Sequence, residues 1–166
     1  AFGQSVAITP LQLLAAYCSI ANGGLLPWAH LIRSVDSRNG ETGLTLRPVT
    51  TRVCSLETAQ LMSRILQQVV INGTGKAAQV PGYRVAGKTG TAQISVVGGY
   101  DPSLTIASFI GFAPADDPQF VVLVKLDKPT DTPWGATTAA PAFANVARIL
   151  FAQLAIPPDQ PREAKH

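Results

Sequence analysis

Long apolar runs are missing from this chain: none approaches the ~18 residues that a membrane-spanning helix requires. Clusters of basic residues are missing too. The 13 Lys and Arg never stand side by side, and the net charge is only +3, which makes nucleic acid a poor partner. There are two cysteines, Cys18 and Cys54, each among apolar neighbours, so they are expected as buried free thiols rather than a disulfide framework. His30 and His166 stand too far from each other and from other ligand types to suggest a metal site. Charged residues make up 14% of the chain against 46% hydrophobic, a balance that excludes disorder and suits a well-buried chain. The opening AFGQSVAITP carries no Met, no basic leader and no signal-type apolar stretch, and reads as a chain cut from something longer.

What is present reads as one domain or a large part of one. Thr9-Pro10-Leu11-Gln12 opens a helix: Thr9 caps, Pro10 takes the first helical position and Gln12 closes a capping box. Gly23-Gly24 ends it near Asn22. Leu11, Leu14, Ala15 and Cys18 form one apolar stripe and Leu13, Ala16, Tyr17 and Ile20 another, so the helix is expected to be buried. Residues 29–35 and 44–53 read as two strands around the turn signal Asn39-Gly40. Ser55 caps a second helix over 56–71, with Ala59, Met62, Ile65, Leu66 and Val69 on its apolar face and Asn72-Gly73 at its end. LTIASFIGFAP (104–114) and QFVVLVKL (119–126) read as a hairpin apolar on both faces. Pro141 opens a last helix to about Leu154, facing inward through Phe143, Val146, Ala147, Leu150 and Phe151, and Pro157 to His166 is expected to be a loose tail. Helices, an antiparallel meander and a covering helix make an α+β fold, an antiparallel sheet flanked by helices rather than alternating βαβ.

The stretch GYRVAGKTGTAQI (82–94) carries the chemistry and supports two patterns. Gly82, Gly87, Lys88 and Thr89 match a phosphate-binding loop, but no buried strand precedes Gly82 and no helix opener follows Lys88. As a strand, the same residues make better sense. Gly87 and Gly90 strip side chains where another backbone must come close, as a peptide pairing along a strand edge would. Lys88 supplies a cation, and Thr89 and Thr91 supply hydroxyls at period 2. Together they suit a carboxylate, provided the cleft opens along the strand edge, because alternation puts Lys88 on the opposite face. An ordinary edge strand guarded by a lysine remains the alternative on these residues alone.

Four segments in order extend the comparison across nearly the whole chain. FGQSVAITPLQLLAAYCSIANGG (2–24), NGTGKAAQVPGYRVAGKTGTAQ (72–93), FIGFAPADDPQFVVLVKLDKP (109–129) and WGATTAAPAFANVARILF (134–151) closely resemble the C-terminal half of the transpeptidase domain of class B penicillin-binding proteins, the monofunctional peptidoglycan DD-transpeptidases. The resemblance implies the penicillin-binding transpeptidase and serine β-lactamase type of fold over residues 1–156, with 157–166 as the tail. It implies acyl transfer from stem peptides ending in D-Ala-D-Ala: a serine attacks the penultimate carbonyl, the terminal D-Ala leaves, and a neighbouring amine takes the acyl group. β-Lactams mimic that end. Lys88 would support the catalytic network, Thr89 and Thr91 would bind the terminal carboxylate, Gly90 would let the substrate backbone approach, and the Thr91 N–H would be an oxyanion donor worth ~2.7–4 kcal/mol. No cofactor or metal is implied. Expected partners are stem peptides, β-lactams, the N-terminal half of the same domain and a cell-wall synthesis complex serving division or cell shape, outside the cytoplasmic membrane and anchored by a segment not in this chain.

One departure is large. The family also needs Ser-x-x-Lys and Ser-x-Asn. None of the nine serines here is followed three positions on by lysine. Ser37-Arg38-Asn39 matches the second motif only within a turn and is read as chance. Both motifs are expected before Ala1, so this polypeptide alone should not form a penicillin adduct. Exposed apolar faces built for the absent half are expected as well. A serine β-lactamase or D-Ala carboxypeptidase, or a non-catalytic penicillin-recognising module, are the competing functions. Gly98 to Pro102 is expected as a loop leaving the Lys-Thr-Gly strand, and Trp134 as a packing residue.

Overall fold

A computed structural model describes residues 7–32, 34–36, 42–45, 49–96 and 99–160. The order of elements is α1 (Pro10–Ala21), β1 (Leu25–Pro27), β2 (Ser34–Asp36), β3 (Thr42–Thr45), β4 (Thr50–Arg52), α2 (Leu56–Ile71), a 3₁₀ turn (Lys76–Ala78), β5 (Ala86–Val96), β6 (Gly99–Ala113), β7 (Phe120–Asp127) and α3 (Ala139–Gln153).

The starts of α1 and α2 follow from their caps, whereas α3 begins at Ala139, two residues before the expected Pro141, with no side-chain cap. Thr9 Oγ1 accepts from the Gln12 N–H at 3.2 Å while Gln12 Oε1 accepts from the Thr9 N–H at 2.8 Å, the reciprocal box that satisfies two orphan donors. Ser55 Oγ accepts from the Thr58 N–H at 3.1 Å and starts α2. α1 ends at Gly23 and Gly24, both at positive φ. A Cβ on Gly24 would also collide with the Cys54 carbonyl, so backbone conformation and space both require glycine there.

β5, β6 and β7 form an antiparallel sheet in that order, with β6 in the centre. Alternate residues of β6 and β7 feed two cores. On one face Phe109, Ala113, Val122 and Val124 pack with Ala139, Ala140, Phe143, Ala144 and Ala147 of α3. On the other, Ala86, Phe112 and Val121 pack with Leu66 of α2 and Tyr17 and Ile20 of α1. Three layers result, and the doubly apolar strand pattern is explained. Phe109 and Phe143 are fully buried with ring centroids 4.8 Å apart. Truncating either ring to alanine is a change of about 3–5 kcal/mol.

Several expectations need correction. Of the two strands read over 29–35 and 44–53, the first shrinks to β2 and the second divides into β3 and β4, while β1 lies before both; β1 pairs with β4 and β2 with β3, as separate two-stranded ribbons. The Asn39-Gly40 turn signal lies outside the described residues. α1 is not buried all round: Leu11 is 61% exposed, and Ser19 alone in the helix is buried. Ile65 and Val146 face solvent, because the buried faces run instead through Ala59, Leu66 and Val70 in α2 and through Ala140, Phe143, Ala144, Ala147 and Phe151 in α3. Both thiols are free, as expected, but half-buried.

β6 starts at Gly99, so Gly99 to Pro102 is strand rather than loop. The register jumps from Gln93–Thr105 to Ile94–Asp101, and this bulge lets Pro102 sit inside a strand. The start of the expected tail is held. Asp159 Oδ1 accepts from the Arg84 N–H at 2.8 Å, its Oδ2 pairs with Arg84 Nε at 3.2 Å, and Tyr83 Oη donates to the Ile156 carbonyl at 2.9 Å.

Candidate active-site edge

β5 is an outer strand, so one side of its backbone meets β6 and the other is an open edge. Lys88 and Thr89 point to opposite faces by alternation, yet they meet at that edge. Lys88 Nζ donates to the Thr89 carbonyl at 2.9 Å and to Thr89 Oγ1 at 3.2 Å. The lysine stem is long enough to wrap the single strand, which removes the conflict that period 2 posed. Thr91 Oγ1 accepts from the Gly135 N–H at 3.2 Å. Lys88, Thr89, Gly90 and Thr91 are all half-buried, reachable from one side and packed on the other. Lys88 and Thr89 thus meet directly, with Gly90 and Thr91 next along the same strand.

The two glycines have internal reasons that sequence reasoning missed. A Cβ on Gly87 would lie 2.6 Å from Phe109 Cζ and 2.7 Å from the Ile110 carbonyl. Gly87 thus makes room for a core ring, not for a visitor. A Cβ on Gly90 would lie 2.6 Å from Ser108 Oγ, on the paired residue of β6.

Three further residues complete the edge. Thr74 sits between Gly73 and Gly75, just past α2, and its hydroxyl lies 2.8 Å from Thr89 Oγ1. The Gly73 and Gly75 N–H groups both donate to the Val69 carbonyl at 3.0 Å, folding the loop tightly over the helix end. A Cβ at either glycine would press on the Val69 backbone, so the Gly-Thr-Gly pattern itself signals a close approach. Gly135 lies against the sheet, where a Cβ would be 2.6 Å from the Gly90 carbonyl. The turn carrying it is laced by hydroxyls: Thr137 and Thr138 donate to the Trp134 carbonyl at 3.1 and 2.8 Å, and Thr132 bonds Thr137. Trp134 itself is 59% exposed, which corrects its expected packing role.

A cavity of about 400 Å³ lies elsewhere, lined by Gln67, Val70, Tyr83, Arg84 and Arg148 among others, and shares no residue with the edge. Arg84 there is committed to Asp116 and Asp159. Among the described residues no cluster of His, Cys, Asp or Glu could hold a metal, and no helix is long and apolar enough to cross a membrane. Burial pushes the Tyr17 phenol and the Cys18 thiol above their ordinary values, but both sit in α1 packing and not at the edge.

Comparison with known proteins agrees with this fold. Residues 1–148 match the family model of the penicillin binding protein transpeptidase domain. Stage V sporulation protein D of Bacillus subtilis is 43% identical over 161 residues, covering 95% of this chain and 25% of that protein. Penicillin-binding protein PbpB of Mycobacterium tuberculosis is 37% identical over 166 residues, covering 93% of this chain and 24% of that protein. The chain thus spans about a quarter of the length of these relatives. Among solved structures, penicillin-binding protein 3 of M. tuberculosis complexed with aztreonam superposes with a TM-score of 0.84 at 35% identity, over 99% of this chain and 39% of that one. The transpeptidase domain of penicillin-binding protein 3 from Burkholderia pseudomallei, without ligand, gives 0.81 at 35% identity, over 95% and 46%. With the α+β fold and these matches in agreement, the chain belongs to the penicillin-binding protein transpeptidase domain family.

Proposed function

We propose that these residues form the substrate-carboxylate half of a peptidoglycan DD-transpeptidase site. The observation that carries the reading is the convergence of Lys88 Nζ with Thr89 Oγ1, 3.2 Å apart, on the open edge of β5, with the Thr91 hydroxyl on the same strand. A stem peptide ending in D-Ala-D-Ala would lie along this edge as an added strand. Its terminal carboxylate would take hydrogen bonds from the Thr89 and Thr91 hydroxyls in the field of Lys88. The Thr89 carbonyl bonds Lys88, so alternation turns the Thr91 N–H toward the same edge, where it can serve as an oxyanion donor.

The acyl transfer needs a serine hydroxyl that attacks the penultimate carbonyl, expels D-Ala and then yields the acyl group to an amine. The 166 residues hold no Ser-x-x-Lys to supply it. The nucleophile and its base come from outside them, in the remaining part of the transpeptidase domain. β-Lactams, which carry an anionic group beside a strained amide (a carboxylate in penicillins, a sulfonate in aztreonam), would enter the same edge; the complexes of the M. tuberculosis relative with aztreonam and ampicillin support a β-lactam-binding reading. The relatives named as transpeptidases favour this reaction over β-lactam hydrolysis or carboxypeptidase action. Under this reading the edge works outside the cytoplasmic membrane, within a cell-wall synthesis complex serving division or cell shape.

Labelled penicillin and denaturing electrophoresis test the reading. The protein carrying the complete transpeptidase domain should show a stable labelled band, which Lys88→Met should form about ten- to a hundredfold more slowly. The 166-residue chain alone should show none. A stable band on that chain would refute the division of labour.

A further inference from the structure

The Thr89 hydroxyl has a fixed capacity: one proton to donate and two lone pairs to accept with. Lys88 Nζ can only donate, so it occupies one lone pair, at 3.2 Å. The neighbour at 2.8 Å is the Thr74 hydroxyl, which can act either way. If Thr89 donated to Thr74, its proton would be spent, and a lone pair would face the cleft and repel a carboxylate. If Thr74 donates, both lone pairs are filled, and the only capacity Thr89 has left is its proton.

We propose that Thr74 is a positioning residue that donates to Thr89 Oγ1 and thereby aims the Thr89 proton at an anionic ligand. The inference rests on the carboxylate-binding reading of the edge and adds a residue to it. The local build supports the assignment. Gly73 and Gly75 bind the loop to the Val69 carbonyl, which holds Thr74 at a fixed height over β5. Thr74 is exposed, so its own lone pairs stay hydrated while its proton points inward. An anion approaching the edge selects this polarity, because the reverse one places like charge against it. The Thr91 hydroxyl, accepting from the Gly135 N–H, likewise keeps its proton free. Two donors and one ammonium then face the ligand.

The test uses the protein carrying the complete transpeptidase domain and two probes, a penicillin and its methyl ester. The ester keeps the strained amide and removes the anion. The wild type should acylate faster with the acid, and the acid-to-ester ratio of acylation rates reports carboxylate recognition alone. Thr74→Val keeps the shape and loses the hydroxyl. Its ratio should fall about tenfold, with the ester rate within about twofold of wild type, an effect of one directed hydrogen bond to a charged group. Thr74→Ser should restore the ratio, and thermal melting of all variants checks the fold. A loss confined to loop packing would lower both rates together. An unchanged ratio in Thr74→Val, whatever the absolute rates, overturns the inference. A wild type that takes up neither probe refutes the proposed function itself, which separates the two failures.

Discussion

Gly90→Ala tests why a glycine stands in the middle of β5. The new methyl would sit 2.6 Å from Ser108 Oγ, about 0.8 Å below the 3.4 Å at which van der Waals contact becomes ordinary. The obstacle is the tip of one side chain, so the clash can be relieved locally. Ser108 would swing off its preferred rotamer at about 0.5–1.5 kcal/mol. It would also lose its long 3.4 Å bond to the Gly90 carbonyl, at the weak end of the ~0.5–1.5 kcal/mol range. Gly90→Ala should therefore cost about 1–2 kcal/mol. The φ of Gly90 is not positive, so alanine fits the backbone and the unfolded chain loses entropy in its favour. Adding Ser108→Ala removes the obstacle, and the double variant should recover to within about 0.5 kcal/mol of Ser108→Ala alone, a coupling of about 1 kcal/mol. Urea unfolding of the complete domain, with unchanged m, measures all four corners. Penicillin acylation of the double variant then asks a separate question. If a ligand backbone must lie against Gly90, acylation should stay at least tenfold down although stability has returned. A double variant as unstable as Gly90→Ala would show that Ser108 is not the obstacle, and wild-type acylation in it would remove the ledge from Gly90.

Lys88→Met should lower penicillin acylation by about ten- to a hundredfold, the scale of a hydrogen bond to a charged group, while shifting the melting temperature little; equal losses in folding and acylation would assign the lysine a structural role. Asp159→Asn removes the charge that holds the chain end to Arg84. With Arg84 40% exposed the loss should be about 1 kcal/mol, with faster proteolysis after Pro157, and an unchanged cleavage rate would refute the anchor. The raised phenol of Tyr17 and thiol of Cys18 favour the folded state while protonated. Their contribution is complete below the ordinary values of 9.0 for Cys18 and 10.0 for Tyr17 and is lost as pH rises through the raised ones. Stability by urea unfolding should hold to about pH 9 and then decline, and Tyr17→Phe with Cys18→Ser should flatten that decline.

Local chemistry made the starts of α1 and α2 legible. Thr9, Pro10 and Gln12 act within four residues, and so do Ser55 and Thr58, so their partners stand beside them in the chain. The β6–β7 hairpin was legible for the same reason. What was not legible depends on distant partners. Apolar periodicity in α1 counts residues that favour burial and cannot say whether a neighbour covers Leu11. In α3 the stripe through Val146 and the one through Ala144 and Ala147 both satisfy helical spacing, and the narrow fit against Phe109 selects the alanines. Tail composition misled because one carboxylate, Asp159, finds Arg84 across 75 residues.

The edge shows the same division. Lys88, Thr89, Gly90 and Thr91 were readable because they are contiguous. Thr74 was visible only as part of a Gly-Thr-Gly pattern, and Ser108 and Gly135 carried no signal of their own. Strand alternation even argued against the site by sending Lys88 to the far face. That rule holds for a strand with neighbours on both sides. On an outer strand a long side chain can round the backbone, and Lys88 does so to reach the Thr89 carbonyl. An exposed edge carbonyl is a template for unwanted pairing, and an ammonium laid over it blocks that pairing. Under the proposed function, the same contact keeps the ammonium beside the Thr89 hydroxyl before any ligand arrives. A stem peptide that pairs with the edge would compete for the Thr89 carbonyl and release the ammonium toward the incoming carboxylate. Guarding the edge and recognising the anion are then two states of one lysine, which is why the guard-residue alternative and the binding-site reading predict the same apo geometry and separate only when an anionic ligand is added.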